Sequence, residues 1–170
     1  MPPEPEIYAL AQHVGERLRT LRKSIAVAES CTGGLLGAAL TDVPGSSAYF
    51  LGGVISYADQ VKRDQLGVSE ATLRRYGAVS EQTAAAMASG VRQLLHADIG
   101  VSITGVAGPE AEGSKPVGLT FIGIEAPSVH SSASGGGMLT RRFQWTGDRW
   151  DNRRRSVVAA LELLVQALGH

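Results

Sequence analysis

Hydrophobic positions along the chain repeat with two alternating periods. Ile7, Leu10, Ala11, Val14, Leu18 and Leu21 recur at helical spacing and predict an amphipathic helix ending near Arg22. Ser24 to Ala28 is a short, mostly apolar run without a helical stripe, which reads as a buried strand. The glycine turn Cys31–Gly34 then leads into a helix over Leu35–Leu40. A second strand is expected over Tyr49–Tyr57, with Gly52 and Gly53 marking a bulge or a close approach. Short helices follow over Asp59–Leu66 and Ser69–Arg75. Ser80 is placed to cap a longer helix whose stripe is Ala84, Met87, Ala88, Val91, Leu94 and Leu95. Strands are predicted over Asp98–Thr104, Val117–Glu125 and Met138–Thr146. Asp148 caps a last helix striped by Val157, Leu161, Leu164, Val165 and Leu168.

Helices alternating with strands predict one α/β domain, a three-layer α/β/α sandwich around a mixed, mostly parallel sheet of about five strands. No helix separates the last two strands, so they are expected to be antiparallel. The Ser- and Gly-rich stretch from Pro127 to Gly137 lacks periodicity and reads as a mobile connection between them. Residues 1–6, acidic and Pro-rich, read as a lead ahead of the domain.

Composition narrows the partners. Sixteen basic and sixteen acidic residues cancel, which argues against nonspecific binding to nucleic acid or to an anionic membrane. One cysteine, Cys31, excludes an intrachain disulfide. No secretion signal and no apolar run of membrane-spanning length are present, so the cytoplasm is the expected compartment. No metal-ligand spacing such as HExxH or CxxC is found, and no metal or organic cofactor is expected.

Ligands in open α/β sheets lie beyond the carboxyl ends of the strands. Three polar or Gly-rich loops leave such ends, at Glu29–Gly34, Tyr57–Lys62 and Thr104–Pro109. Ser30 stands where a strand turns into a helix, near free backbone amides that suit an oxyanion or a phosphate. The same residues also suit a plain helix cap with a tight turn. None of His13, His96, His130 and His170 falls in these loops. Lys62 is then the candidate base, since burial disfavours its charged form, and Ser–Lys pairs are a variant of the serine triad. Tyr57 is placed to orient it or relay a proton. Cys31 is the rival nucleophile. Among the C-terminal arginines, one or two could reach a phosphate.

The segments AESCTGGLLGAAL (Ala28–Leu40), PGSS (Pro44–Ser47), GGVISYADQVKRDQLGV (Gly52–Val68), GAVS (Gly77–Ser80), SITGVAGP (Ser102–Pro109), KPVG (Lys115–Gly118) and GDR (Gly147–Arg149) together resemble the CinA C-terminal domain family, the nicotinamide-nucleotide amidases. The resemblance runs from about Ile7 to Leu168. It implies a three-layer fold with a mixed sheet, and hydrolysis of nicotinamide mononucleotide to nicotinate mononucleotide and ammonia in pyridine-nucleotide salvage. It implies Ser30 as nucleophile with Lys62 and Tyr57 as its partners. The substrate-binding set expected with them is Cys31, Thr32, Gly33, Gly34, Gly45, Ser46, Thr104, Gly105, Gly108, Lys115 and Arg149. The expected partner is a small pyridine nucleotide, and the chain is expected to form a dimer or larger homo-oligomer. It lacks the N-terminal domain of some family members, so it is a stand-alone version or a fragment of the longer kind. A non-catalytic nucleotide-binding module is the alternative, and a role accessory to DNA uptake or repair is a third reading.

Overall fold

A computed structural model describes residues 2–127, 129 and 137–169. The connection expected to be mobile falls mostly outside these residues, as do His130 and His170. Six helices and five strands are present among the described residues: α1 Pro5–Leu21, β1 Ile25–Glu29, α2 Leu35–Thr41, β2 Phe50–Ile55, α3 Asp59–Leu66, α4 Glu70–Tyr76, α5 Glu81–Leu94, β3 Ile99–Gly105, β4 Leu119–Glu125, β5 Met138–Gln144 and α6 Arg149–Leu168. The lead is shorter than expected. Helix α1 already starts at Pro5, where a proline suits the first turn, and Arg154 of α6 pairs with Glu4 and Glu6. Ser80 and Asp148 cap α5 and α6 as their positions imply.

The sheet order is β2-β1-β3-β4-β5. Strands β1, β2 and β3 are parallel, and β4 is antiparallel to both β3 and β5. Four strands therefore point one way, with β4 alone reversed. The reversal follows from the connection after β3, which has no helix to carry the chain back across the sheet.

Alternation along the strands divides the core. Ile25 and Val27 of β1, Val101 and Ile103 of β3, and Ile122 and Ile124 of β4 pack against α1, α2 and α6. Ala26 and Ala28 face the other way, against the layer that holds α3, α4 and α5. Small residues on that side let α5 lie close to the sheet: Ser102 Oγ donates to the Ala84 carbonyl at 2.6 Å, and a Cβ at Gly123 would lie 2.6 Å from the same oxygen. Of the stripe expected for α5, Leu94 is exposed, while Leu95 just past the helix packs against the core on that side of the sheet.

The connections place the site. The helix after β1 covers one face of the sheet, and the helices after β2 cover the other. A crevice opens between strands whose connections diverge in this way. Both strands end at the same sheet edge as β3. Ser30, Ser56 and Tyr57, and the loop after Gly105 are therefore brought to one place.

Gly90 is the tightest joint in the helical layer, because a Cβ there would collide with the carbonyl of Leu66 at the end of α3. Gly90→Ala is expected to destabilise the fold by about 1–3 kcal/mol, read as a lower urea midpoint at unchanged m-value.

Candidate active site

Residues at the carboxyl edge enclose a cavity of about 260 Å³, at the small end for ligand clefts. Ser30, Cys31, Tyr57, Lys62, Thr104, Gly105, Gly108 and Arg149, all expected from the sequence, line it together. Ser30 is held at the end of β1 by its own amide, which donates to the Ile103 carbonyl at 3.0 Å.

Lys62 reaches the cavity from the first turns of α3. The side chain is 1% exposed. Its Nζ donates to the Ser56 carbonyl at 2.7 Å, the Tyr57 carbonyl at 3.3 Å and Ser30 Oγ at 3.3 Å. An uncharged amine, with two N–H groups and one lone pair, fits the same three neighbours. The carbonyls take the two N–H groups, and the lone pair faces the Ser30 hydroxyl, which then donates. Burial lowers the pKa of Lys62 from its ordinary value, and the Asp59 and Glu112 carboxylates work against that shift. Asp59 is 3.9 Å from Nζ but exposed, so water weakens its pull.

Tyr57 stands differently from the relay expected of it. Its backbone carbonyl contacts Lys62, while the residue is 61% exposed and its phenol receives a hydrogen bond from Arg149 Nη2 at 3.1 Å. Arg149 Nη1 also donates to the Gly108 carbonyl at 2.6 Å. Arg149 thus joins the start of α6 to both loops at the rim. Thr104 Oγ1 donates to the Ala78 carbonyl at 2.8 Å. Gly105 permits the close approach of β4, since a Cβ there would lie 2.7 Å from Thr120 Oγ1 and 2.9 Å from the Leu119 carbonyl.

Cys31 is a poor rival nucleophile. Burial pushes its thiol from 9.0 to about 11, despite Arg153 and Arg149 nearby, so little thiolate exists near neutrality.

Other expected residues lie elsewhere. Thr32 is fully buried, and its hydroxyl donates to Glu29 Oε1 at 2.7 Å. Gly33 and Gly34 form the turn, with φ of +60° and +104°, which glycine adopts without strain. Gly45 and Ser46 precede β2, at the opposite end of the strands, with Arg19 donating to the neighbouring Pro44 carbonyl at 2.8 Å. Lys115 lines an adjoining cavity with Arg75, Tyr76 and Gly77.

Glu29 has a role the sequence reading left unassigned. It is buried, and its carboxylate accepts from Thr32 Oγ1, from the Leu36 amide at 2.9 Å and from the Gly37 amide at 3.0 Å. It therefore occupies the amino end of α2, which is not available to an oxyanion or a phosphate. The signal was a carboxylate closing an otherwise apolar strand. Asp59, Glu110 and Glu112 also line the cavity. They sit in polar stretches where nothing in the spacing singles them out. Among the described residues, no group of three or more His, Cys, Asp or Glu is arranged to hold a metal, and no helix is long and apolar enough to cross a membrane.

Removing the Glu29 carboxylate leaves two buried donors and a partly buried one without partners. Glu29→Ala is expected to lower stability by about 2–4 kcal/mol in chemical denaturation. Cys31, in contrast, should react with iodoacetamide at pH 8 roughly a hundredfold more slowly than an ordinary thiol in a small peptide. Alkylation at the peptide rate would contradict the burial described.

A model of the CinA C-terminal domain matches residues 7–168. The CinA-like protein of Thermosynechococcus vestitus is 48% identical over 162 residues, and that of Chlorobium limicola is 50% identical over 153 residues. The matched regions cover 94% and 89% of this chain, but it spans only 37% and 35% of the two relatives. The crystal structure of competence/damage inducible protein CihA from Agrobacterium tumefaciens superposes with a TM-score of 0.90 at 36% identity, covering 99% of each chain. That of competence damage-inducible protein A from Klebsiella pneumoniae superposes at 0.89 and 33% identity, covering 96% of this chain and 98% of that one. With a matching family model, the same sheet and close relatives over nearly its whole length, the chain belongs to the CinA C-terminal domain family.

Proposed function

We propose that this cavity hydrolyses the carboxamide of nicotinamide mononucleotide, releasing ammonia and nicotinate mononucleotide. The observation that carries the reading is the contact of a fully buried lysine amine with a serine hydroxyl at the end of a strand. The desolvated amine of a lysine held this way suits a base.

The chemistry follows from the contacts. Ser30 Oγ attacks the carboxamide carbon while Lys62 takes the hydroxyl proton. The carbonyl oxygen becomes an oxyanion, and the amide of Cys31, which lines the cavity and donates to no oxygen among the described residues, is its donor. The ammonium of Lys62 returns the proton to the departing nitrogen, the C–N bond breaks and ammonia leaves. A water, deprotonated by Lys62, then attacks the Ser30 ester; the C–Oγ bond breaks, the Lys62 ammonium returns the proton to Ser30 Oγ, and nicotinate mononucleotide leaves as the carboxylate. The Tyr57 phenol, held by Arg149, takes part at the rim and not in this proton path. Asp59, Glu110 and Glu112 around the opening suit the cationic pyridinium ring, and Arg149 suits the phosphate.

A binding-only role is the second reading, because the charged form of Lys62 would also be satisfied by its three acceptors. Calorimetry that finds nucleotide binding without ammonia release selects it.

Ammonia release from nicotinamide mononucleotide is expected to fall at least a thousandfold in Ser30→Ala and Lys62→Met, and to stay near wild type in Cys31→Ala. Lys62 acts as the free base, so kcat/KM should rise with pH through an apparent pKa below the ordinary 10.5 and then level off. Full activity in Ser30→Ala, or a rise only above 10.5, would refute the scheme.

A further inference from the structure

Two residues in the first turn of α6 hold the loop that follows β3. Arg149 Nη1 donates to the Gly108 carbonyl at 2.6 Å, and Asn152 Nδ2 donates to the Ala107 carbonyl at 3.0 Å. Three residues apart on a helix, the two side chains share a face. Asn152 is 2% exposed, and its Oδ1 accepts from the Gly147 amide at 3.1 Å. Only one orientation of the planar side-chain amide serves both partners, so Nδ2 is fixed on Ala107. Ala107 and Gly108 line the catalytic cavity, and Asn152 does not. The Ala107 carbonyl is therefore drawn away from the cavity, towards the start of α6. The Ala107–Gly108 peptide is trans, and a planar trans peptide sets its N–H opposite its carbonyl. The Gly108 N–H accordingly faces the cavity. It donates to no oxygen among the described residues, although Gly108 is buried. A buried amide without a partner is uncommon in a folded protein and marks a place where a ligand can supply the acceptor.

We propose that the Gly108 amide, set in place by Asn152, donates to the phosphate of the bound nucleotide beside the Arg149 guanidinium. The proposal rests on the nucleotide reading of the cavity and adds to it one ligand-contact atom and one positioning residue. Asn152 acts through the Ala107–Gly108 peptide and does not touch the ligand.

Charge across the cavity decides which end of the nucleotide lies there. Asp59 and Glu112 are the carboxylates that act on Lys62. The guanidiniums of Arg153 and Arg149 act on Cys31, against Glu29, whose carboxylate is already met by three donors. The Lys62 side therefore suits the cationic ring, and the side that carries Arg149 suits an anion. Gly108 belongs to the second side through its bond to Arg149. Glu110, two residues further on, is exposed, and water and salt screen it. Arg149 already gives one N–H to Gly108 and one to Tyr57, so a fixed backbone donor beside it supplies direction where the guanidinium supplies charge. The backbone here also requires glycine. Its φ is +100°, and a Cβ would stand 2.7 Å from Val117 Cγ1.

The test measures binding and does not depend on turnover. Calorimetry compares nicotinate mononucleotide with nicotinate riboside, the same compound without its phosphate. The proteins are wild type, Asn152→Ala and Asn152→Asp, each checked for folding by thermal melting. The Gly108 amide of wild type is followed in 15N–1H spectra. Wild type is expected to bind the mononucleotide at least roughly tenfold more tightly than the riboside. The Gly108 amide proton should move downfield with the mononucleotide and much less with the riboside. Asn152→Asp keeps the acceptor for Gly147 and loses the donor to Ala107. Both variants should lose roughly tenfold in affinity for the mononucleotide and less than about twofold for the riboside. A general loosening of the loop would weaken the two ligands alike, and that result overturns the proposal. So does a Gly108 proton that the mononucleotide leaves in place, or a wild type that binds both ligands equally. Should neither variant fold, the Gly108 proton in wild type decides. Ammonia release from nicotinamide mononucleotide is measured beside these. Wild type that binds the mononucleotide with the Gly108 shift yet releases no ammonia defeats the hydrolytic reading alone. Turnover with no Gly108 shift defeats this proposal alone, and binding of neither ligand defeats both.

Discussion

The site depends on keeping one amine out of water. Lys62 is buried with its nitrogen in contact with two backbone carbonyls and a serine hydroxyl, and the Asp59 carboxylate 3.9 Å away is exposed. Desolvation favours the neutral amine, and the carbonyls fix which way its lone pair points. The parallel order of β1 and β2 is what brings Ser30 and Lys62 to the same edge. The sign of the consequence is definite. Below pH 10.5 the unfolded chain binds the Lys62 proton more readily than the folded one, so this residue lowers stability there. That contribution fades as pH rises from the depressed folded value towards 10.5.

Around that contact, each neighbouring group is used once. Glu29 takes the amino end of α2, Arg153 takes the carbonyls of the turn, and Arg149 links the rim loops. The Cys31 amide, beside the nucleophile at the cavity, donates to no oxygen among the described residues.

Much of this was legible in the sequence where local pattern and long-range structure agree. The helices over Asp59–Leu66 and from Ser80 onward, and the strands around Ile25, Ile99 and Leu119, announce themselves by period and cap. The meeting of Ser30 and Lys62 followed from placing both at carboxyl ends of strands. What was not legible depends on neighbours distant in sequence or on backbone atoms. Nothing at Ser56 or Tyr57 says that their carbonyls hold a lysine. The part of Arg153 depends on how α6 packs, although its spacing of four from Arg149 puts both on one helical face. Gly45 and Ser46 were drawn in by a shared motif, yet the turn they form is at the far end of the sheet. Glu29 was visible as a charge ending an apolar strand, but its acceptance of three donors needed the path of α2.

The most direct measurement is the titration of the Lys62 side-chain nitrogen by 15N NMR in the intact protein, assigned by comparison with Lys62→Met. The account predicts an amine that loses its proton clearly below 10.5, with a chemical shift that responds when Ser30 is replaced by alanine. An ammonium that persists to 10.5 or beyond, indifferent to Ser30, would contradict it.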